Sequence, residues 1–110
     1  MASSPKEFFM GELDEQLRAD PARTDGVTAA FQFEIDGPTG GAWWIEADRG
    51  TGAVHEGTHD APALVIGMTD EVLMAMVSGE LDGSEAYFDG KMTVEGDQSK
   101  LAFVGPLFGQ

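Results

Sequence analysis

The chain contains no cysteine. That excludes disulfides, thiolate zinc sites and cysteine nucleophiles together, and it fits a reducing compartment. Asparagine is missing too, so there is no N-glycosylation acceptor. Cations are scarce: 6 Lys plus Arg stand against 20 Asp plus Glu, a formal net charge of −14 over 110 residues. Nucleic-acid binding depends on Lys and Arg releasing counterions from phosphates, and adhesion to anionic membranes needs the same residues, so the charge argues against both. No apolar run approaches the roughly 18 residues needed to span a bilayer, and Met1-Ala2-Ser3-Ser4-Pro5 lacks the apolar stretch of a signal peptide. These absences point to a cytoplasmic protein with no stable membrane insertion.

What remains is globular. A chain 42% hydrophobic and 24% charged is not disordered, and 110 residues suit one domain, residues 1–110, with one core. Pro5 to Arg18 reads as a helix. Phe9, Leu13 and Leu17 recur at i, i+4 and i+8, Phe8 and Met10 widen the stripe, and Ser4 and Glu7 fit an N-cap and capping box around Pro5. Val27 to Ile35 alternates with period two, placing Val27, Ala29, Phe31, Phe33 and Ile35 on one face. After Asp36-Gly37-Pro38-Thr39-Gly40-Gly41, Ala42 to Asp48 alternates again, with Trp43, Ile45 and Ala47 together. Past Arg49-Gly50-Thr51-Gly52, Ala53 to Glu56 completes an antiparallel meander.

Leu64 to Met68 is a fourth strand, with Leu64, Ile66 and Met68 on one face. Thr69 or Asp70 caps a helix that runs to Ser78 and is ended by Gly79; its apolar stripe is Val72, Leu73, Met76 and Val77. Asp82 to Phe88 makes one or two helical turns, and Lys91 to Glu95 a fifth strand with Met92 and Val94 inward. Gln98 to Gly105 is helical, with Leu101 and Val104 on one side, until Pro106 stops it; Leu107 and Phe108 form an apolar tail. One apolar and one polar face on each strand predict helices on one side of the sheet, a two-layer α+β domain.

The catalytic inventory is thin. His55 and His59 are four residues apart, but Gly57 and the strand before it argue against a helix that would bring them onto one metal, so they read as exposed loop side chains. Gly90-Lys91 lacks the spacing of a P-loop, and Gly50-Thr51-Gly52 lacks the third glycine of a dinucleotide fingerprint. No cofactor or metal is expected. Tyr87 reads as a core or cavity-edge residue, Lys91 as the partner of a nearby acid, and Trp44 as an outer-face residue that either meets a partner or second copy or is shielded by a loop. Six Met and seven Phe give a soft interior, and Met lets a surface re-pack around varied ligands. Sequence physics does not separate a filled core from a lipid cavity.

The order and spacing of several segments carry a resemblance. They are Phe31-Gln32-Phe33 with Gly37; Trp43-Trp44-Ile45 before Gly50-Thr51-Gly52; the strand ending in Met68; the stretch Leu73 to Asp82; and above all Ala86-Tyr87-Phe88-Asp89-Gly90-Lys91-Met92-Thr93-Val94-Glu95-Gly96-Asp97. From Phe31 to Phe108 the chain resembles the sterol carrier protein 2 (SCP2) sterol-binding domain family. The resemblance implies a five-stranded mixed sheet with helices on one face. It also implies an apolar tunnel between the layers for a sterol, fatty acid or acyl-CoA, closed by the last helix and tail. On that reading the lining is Phe31, Phe33, Trp43, Ile45, Ile66, Met68 and Met92 from the sheet, with Leu73, Met76, Val77, Tyr87, Phe88, Leu101, Val104 and Phe108 from the helices and tail. The expected function is a non-catalytic lipid carrier. The alternatives are an accessory domain presenting a hydrophobic substrate to a partner enzyme, and a small cavity enzyme of the steroid-isomerase type.

Overall fold

The computed structural model describes residues 3–104. The chain begins with three helical segments joined end to end: α1 (Pro5–Glu7), a π-helical stretch (Phe8–Leu13) and α2 (Asp14–Ala19). Ser4 caps α1 in an extended conformation, its Oγ accepting from the Glu7 N–H. The Glu7 carboxylate returns to Ser3. Periodicity predicts this helix but not its π-helical centre, where i→i+5 bonding widens the turns. Phe9, Leu13 and Leu17 are buried as the i, i+4 pattern requires, and Phe8 joins them. Met10 does not; it is 40% exposed.

The sheet comprises β1 (Thr28–Asp36), β2 (Gly41–Asp48), β3 (Thr51–Glu56), β4 (Leu64–Thr69) and β5 (Met92–Gly96), in the order β3-β2-β1-β4-β5. The β1–β2–β3 meander is antiparallel, β4 pairs parallel with β1, and β5 pairs antiparallel with β4, so the sheet is mixed. Register lines up the apolar faces in rows. Val54, Ile45, Phe31 and Leu64 form one, and Trp43, Phe33, Ile66 and Val94 the next. The first helix lies on these rows. The Phe9 ring stacks on Trp43 at 5.0 Å and tilts against Phe33 at 5.3 Å.

α3 (Asp70–Ser78) follows β4 directly. Thr69 is its N-cap, accepting from the Val72 N–H, and Gly79 ends it at φ 86°, where a side chain would be strained. It buries Leu73 and Met76. α4 (Gly83–Phe88) is short, capped by Asp82, and buries Ala86. Gln98–Phe103 forms a 3-10 helix, tighter than the α-helix its pattern predicts. The expected reach to Gly105 and the expectation for Phe108 lie outside the described residues.

The rule of one apolar and one polar face fails at Gln32. It points to the outer face of β1 yet is 1% exposed. The segment after β3 crosses that face. Gln32 Nε2 donates to the carbonyls of Trp43 (3.2 Å) and Gly57 (3.0 Å), and its Oε1 accepts from the His59 N–H (2.7 Å). Trp44 is half-buried on the same face, stacked on His55 of β3 at 4.2 Å and edge-on to His59 of that segment at 4.6 Å. These two histidines shield part of the Trp44 ring. His55 is not a loop residue: it stands on β3, half-buried, and its Nε2 lies 3.1 Å from Glu46. Lys91 makes no ion pair among the described residues, contrary to expectation. It sits instead on the outer-face groove above Gly67, with Glu34, Asp36 and Glu95.

Two carboxylates tie the layers together. Asp70 Oδ2 accepts from the Thr39 hydroxyl (2.8 Å) and N–H (3.0 Å), pinning the β1–β2 turn to the start of α3. The Thr39 hydroxyl, then its N–H, hold the Asp70 carboxyl below the usual range. Asp14 Oδ1 accepts from the Val54 N–H at 2.9 Å. Burial pushes the Asp14 carboxyl up, but the bonds from Val54 and Arg18 outweigh it and the net shift is downward. A carboxylate with a depressed folded pKa stabilises above its unfolded pKa, and that stability is lost as pH falls through the folded one. Stability should therefore hold near neutrality and decline from about pH 4 downward, over the ordinary carboxylate range and below it. The acid limb should be shallower in Asp70→Asn, measured by urea midpoints at stepped pH. An unchanged limb would remove Asp70 from this account.

Candidate functional site

The helical layer opens between the first helix and α3. A cleft of about 230 Å³ lies there, floored by Phe8, Leu73, Met76 and Val77 and rimmed by Glu12, Gln16 and Arg23. The floor follows from helical spacing. Leu73, Met76 and Val77 share one face of α3 at i, i+3 and i+4, and Phe8 opens the π-helical stretch opposite.

Glu12 and Gln16 come from the first helix, and Arg23 from a 3-10 turn, Pro21–Thr24, capped by Asp20 accepting from the Ala22 N–H at 3.2 Å. The turn brings Arg23 back against the helix. Its Nη1 donates to Gln16 Oε1 at 2.9 Å, and its Nε stands 3.5 Å from Asp20. The side chain is 19% exposed, and Nε is buried without a hydrogen bond. A guanidinium carries five donors in a fork that fits a carboxylate. Arg23, paired with Asp20 and Gln16, thus sets a cation at the polar edge of the cleft.

The expected lining residues divide into three groups. Phe31, Phe33, Trp43, Ile45, Ile66, Met68, Met92 and Val104 are buried in the common core with Leu73 and Met76, and Leu101 packs partly against it. Leu73, Met76 and Val77 also reach the cleft. Tyr87 and Phe88 turn away: they are 42% and 84% exposed. The reason is the length of α4, whose single full turn spends its inward position on Ala86 and leaves both rings on the outer side. The aromatics of the motif are thus a correction to the expected lining. The rim was missed. Phe8 belonged to a visible stripe, but nothing in the sequence marks Arg23 or Gln16 beyond the rarity of cations.

No group of three or more His, Asp or Glu side chains among the described residues is placed to hold a metal. No described helix is long and apolar enough to cross a membrane.

Comparison with known proteins follows the same lines. The profile of the SCP-2 sterol transfer family matches residues 10–108. Hydroxysteroid dehydrogenase-like protein 2 of Rattus norvegicus is 33% identical over 99 residues, covering 84% of this chain and 19% of that protein. The chain spans about a fifth of the length of the first curated relatives it matches. Among solved structures, palmitated SCP2L2 from Aedes aegypti superposes with a TM-score of 0.78 at 21% identity, covering 94% of both chains. The sec-alkylsulfatase Pisa1 from Pseudomonas sp. superposes with a TM-score of 0.71 at 19% identity, covering 94% of this chain and 16% of that one. Topology and structural likeness agree on one fold, a mixed five-stranded sheet covered by helices. The chain belongs to the SCP-2 sterol transfer family.

Proposed function

We propose that this protein, as one SCP2-like unit over residues 1–110, is a non-catalytic carrier for a long-chain lipid working in a reducing cytoplasm. The observation that carries the reading is the cleft, where Arg23 stands over Phe8, Leu73, Met76 and Val77. A fatty acid fits best, its carboxylate on Arg23 and its tail entering the layer through the Met76 side. The cleft is smaller than ordinary ligand pockets, so the tail must move core side chains. Met76, Met68 and Met92 are the flexible ones there. The palmitate held by the Aedes relative is the same class of ligand. The acidic balance favours an aqueous carrier over transfer by collision with anionic membranes.

Catalysis has little support. A steroid-isomerase-like site needs a carboxyl raised beside an apolar pocket. Glu7, Asp14, Asp70, Asp82 and Asp97 are instead held low. The second reading, an accessory domain that presents a hydrophobic substrate to an enzyme, rests on the small share of its relatives that this chain covers.

Burial contributes about 0.8 kcal/mol per CH₂, so ten carbons supply roughly 8 kcal/mol before association costs, which sets micromolar binding as the upper range. Displacement of a fluorescent fatty acid by palmitate should show it. Arg23→Gln should weaken palmitate about tenfold, the scale of one charge-assisted hydrogen bond, and leave hexadecanol unchanged. Equal loss for both ligands would remove the head-group role. No binding of either, with the fold intact, would overturn the carrier reading.

A further inference from the structure

The aromatic pair that the core does not use forms a surface of its own. Phe88 is 84% exposed and Tyr87 42%, with ring centroids 5.8 Å apart and edge to face. Their platform is fixed. Asp82 caps α4 through the Ser84 N–H and hydroxyl, Ala86 is fully buried, and the Ala86 carbonyl accepts from the Lys91 N–H at 2.9 Å. Glu80, Glu85 and Asp89, close to the rings in sequence, are exposed, and none of them makes an ion pair among the described residues. The neighbouring cation, Lys91, lines the outer-face groove.

We propose that the Tyr87–Phe88 face of α4 docks a partner protein through an apolar socket rimmed by Lys and Arg. The proposal is independent of the lipid-binding reading, because neither ring lines the cleft. Charge selects the occupant. A second copy brings another −14 and the same acids, and like charges brought together at an interface cost affinity. An anionic bilayer is repelled in the same way. Two rings alone fall well short of the two signals that stable membrane anchoring takes. A basic-rimmed protein pocket answers both features. It buries the rings, the aromatic anchors typical of binding hot spots, and neutralises the free carboxylates.

The test uses the full chain, ¹⁵N-labelled, titrated with a 14-residue amphipathic peptide bearing a Leu face flanked by Lys, and with a control carrying Glu for Lys. The Lys peptide should shift the amides of residues 85–90 and the two rings. Phe88→Ser should weaken it at least tenfold, and Glu85→Lys should weaken it about threefold with a reduced salt dependence. Both positions are exposed, so the variants fold, and circular dichroism checks this. Several results overturn the proposal: no shift at 85–90, shifts centred on Glu34, Asp36 and Glu95, or equal binding by Phe88→Ser. Phe88-dependent flotation with phosphatidylcholine vesicles would overturn it in favour of a lipid surface. Phe88-dependent dimerisation in sedimentation would overturn it in favour of a second copy.

Discussion

Replacing Phe9 with alanine is expected to cost about 3–5 kcal/mol of stability. Phe9 is fully buried and joins the first helix to the sheet through Phe33 and Trp43, with Phe8 edge-on at 5.4 Å. Truncation loses the transfer energy of the ring and leaves a void between layers that the rigid sheet rows cannot fill. Small domains hold about 5–15 kcal/mol in total, so the variant should melt more than about 10 °C lower. Its urea midpoint should fall with an unchanged slope. A long-chain fatty acid should recover part of that loss by entering the vacated space, since a ligand that binds only the folded state stabilises it. A cost below about 1 kcal/mol would mean that the layers are not held together at this ring.

Gln32→Leu carries the second large effect, about 2–3 kcal/mol. Leucine nearly keeps the volume but abandons four partners: the carbonyls of Phe33, Trp43 and Gly57 and the His59 N–H. Unpaired polar groups under cover cost more than the mean hydrogen bond contributes. The damage should be local to the outer face. The segment from Gly57 to His59 should lift, the His59 amide should exchange faster, and Trp44 emission should shift to the red as His59 leaves its edge. An unmoved Trp44 spectrum with full stability would show that the covering segment is held by something other than Gln32.

These two residues also mark what the sequence discloses. Phe9, Leu13 and Leu17 were legible because a buried helix face repeats every three to four positions, and Phe31, Phe33, Trp43 and Ile45 because a half-buried strand alternates. Neighbour order was not legible in the residues themselves. Alternation says which face Leu64 and Ile66 occupy but not that they lie parallel beside Phe31 and Phe33; only the family resemblance implied a mixed sheet. Gln32 defeats the alternation rule because its cover comes from a loop 25 residues on. Arg23 reaches the cleft through a 3-10 turn, which leaves no periodic trace. Tyr87 and Phe88 mislead for the opposite reason: a strong motif was read as lining, whereas a helix of six residues has only one inward position to give.

The contact between Asp14 and the Val54 N–H bears on how the molecule behaves when crowded. β3 is the last strand on its side of the sheet, and its free backbone donors are an invitation for another chain to add on. A carboxylate from α2 occupies the donor at the middle of that strand, and Arg18 holds the carboxylate from behind. The first helix therefore acts as a cork on the rim of the sheet. Asp14→Ala should form intermolecular β-structure at concentrations where the parent chain stays clear.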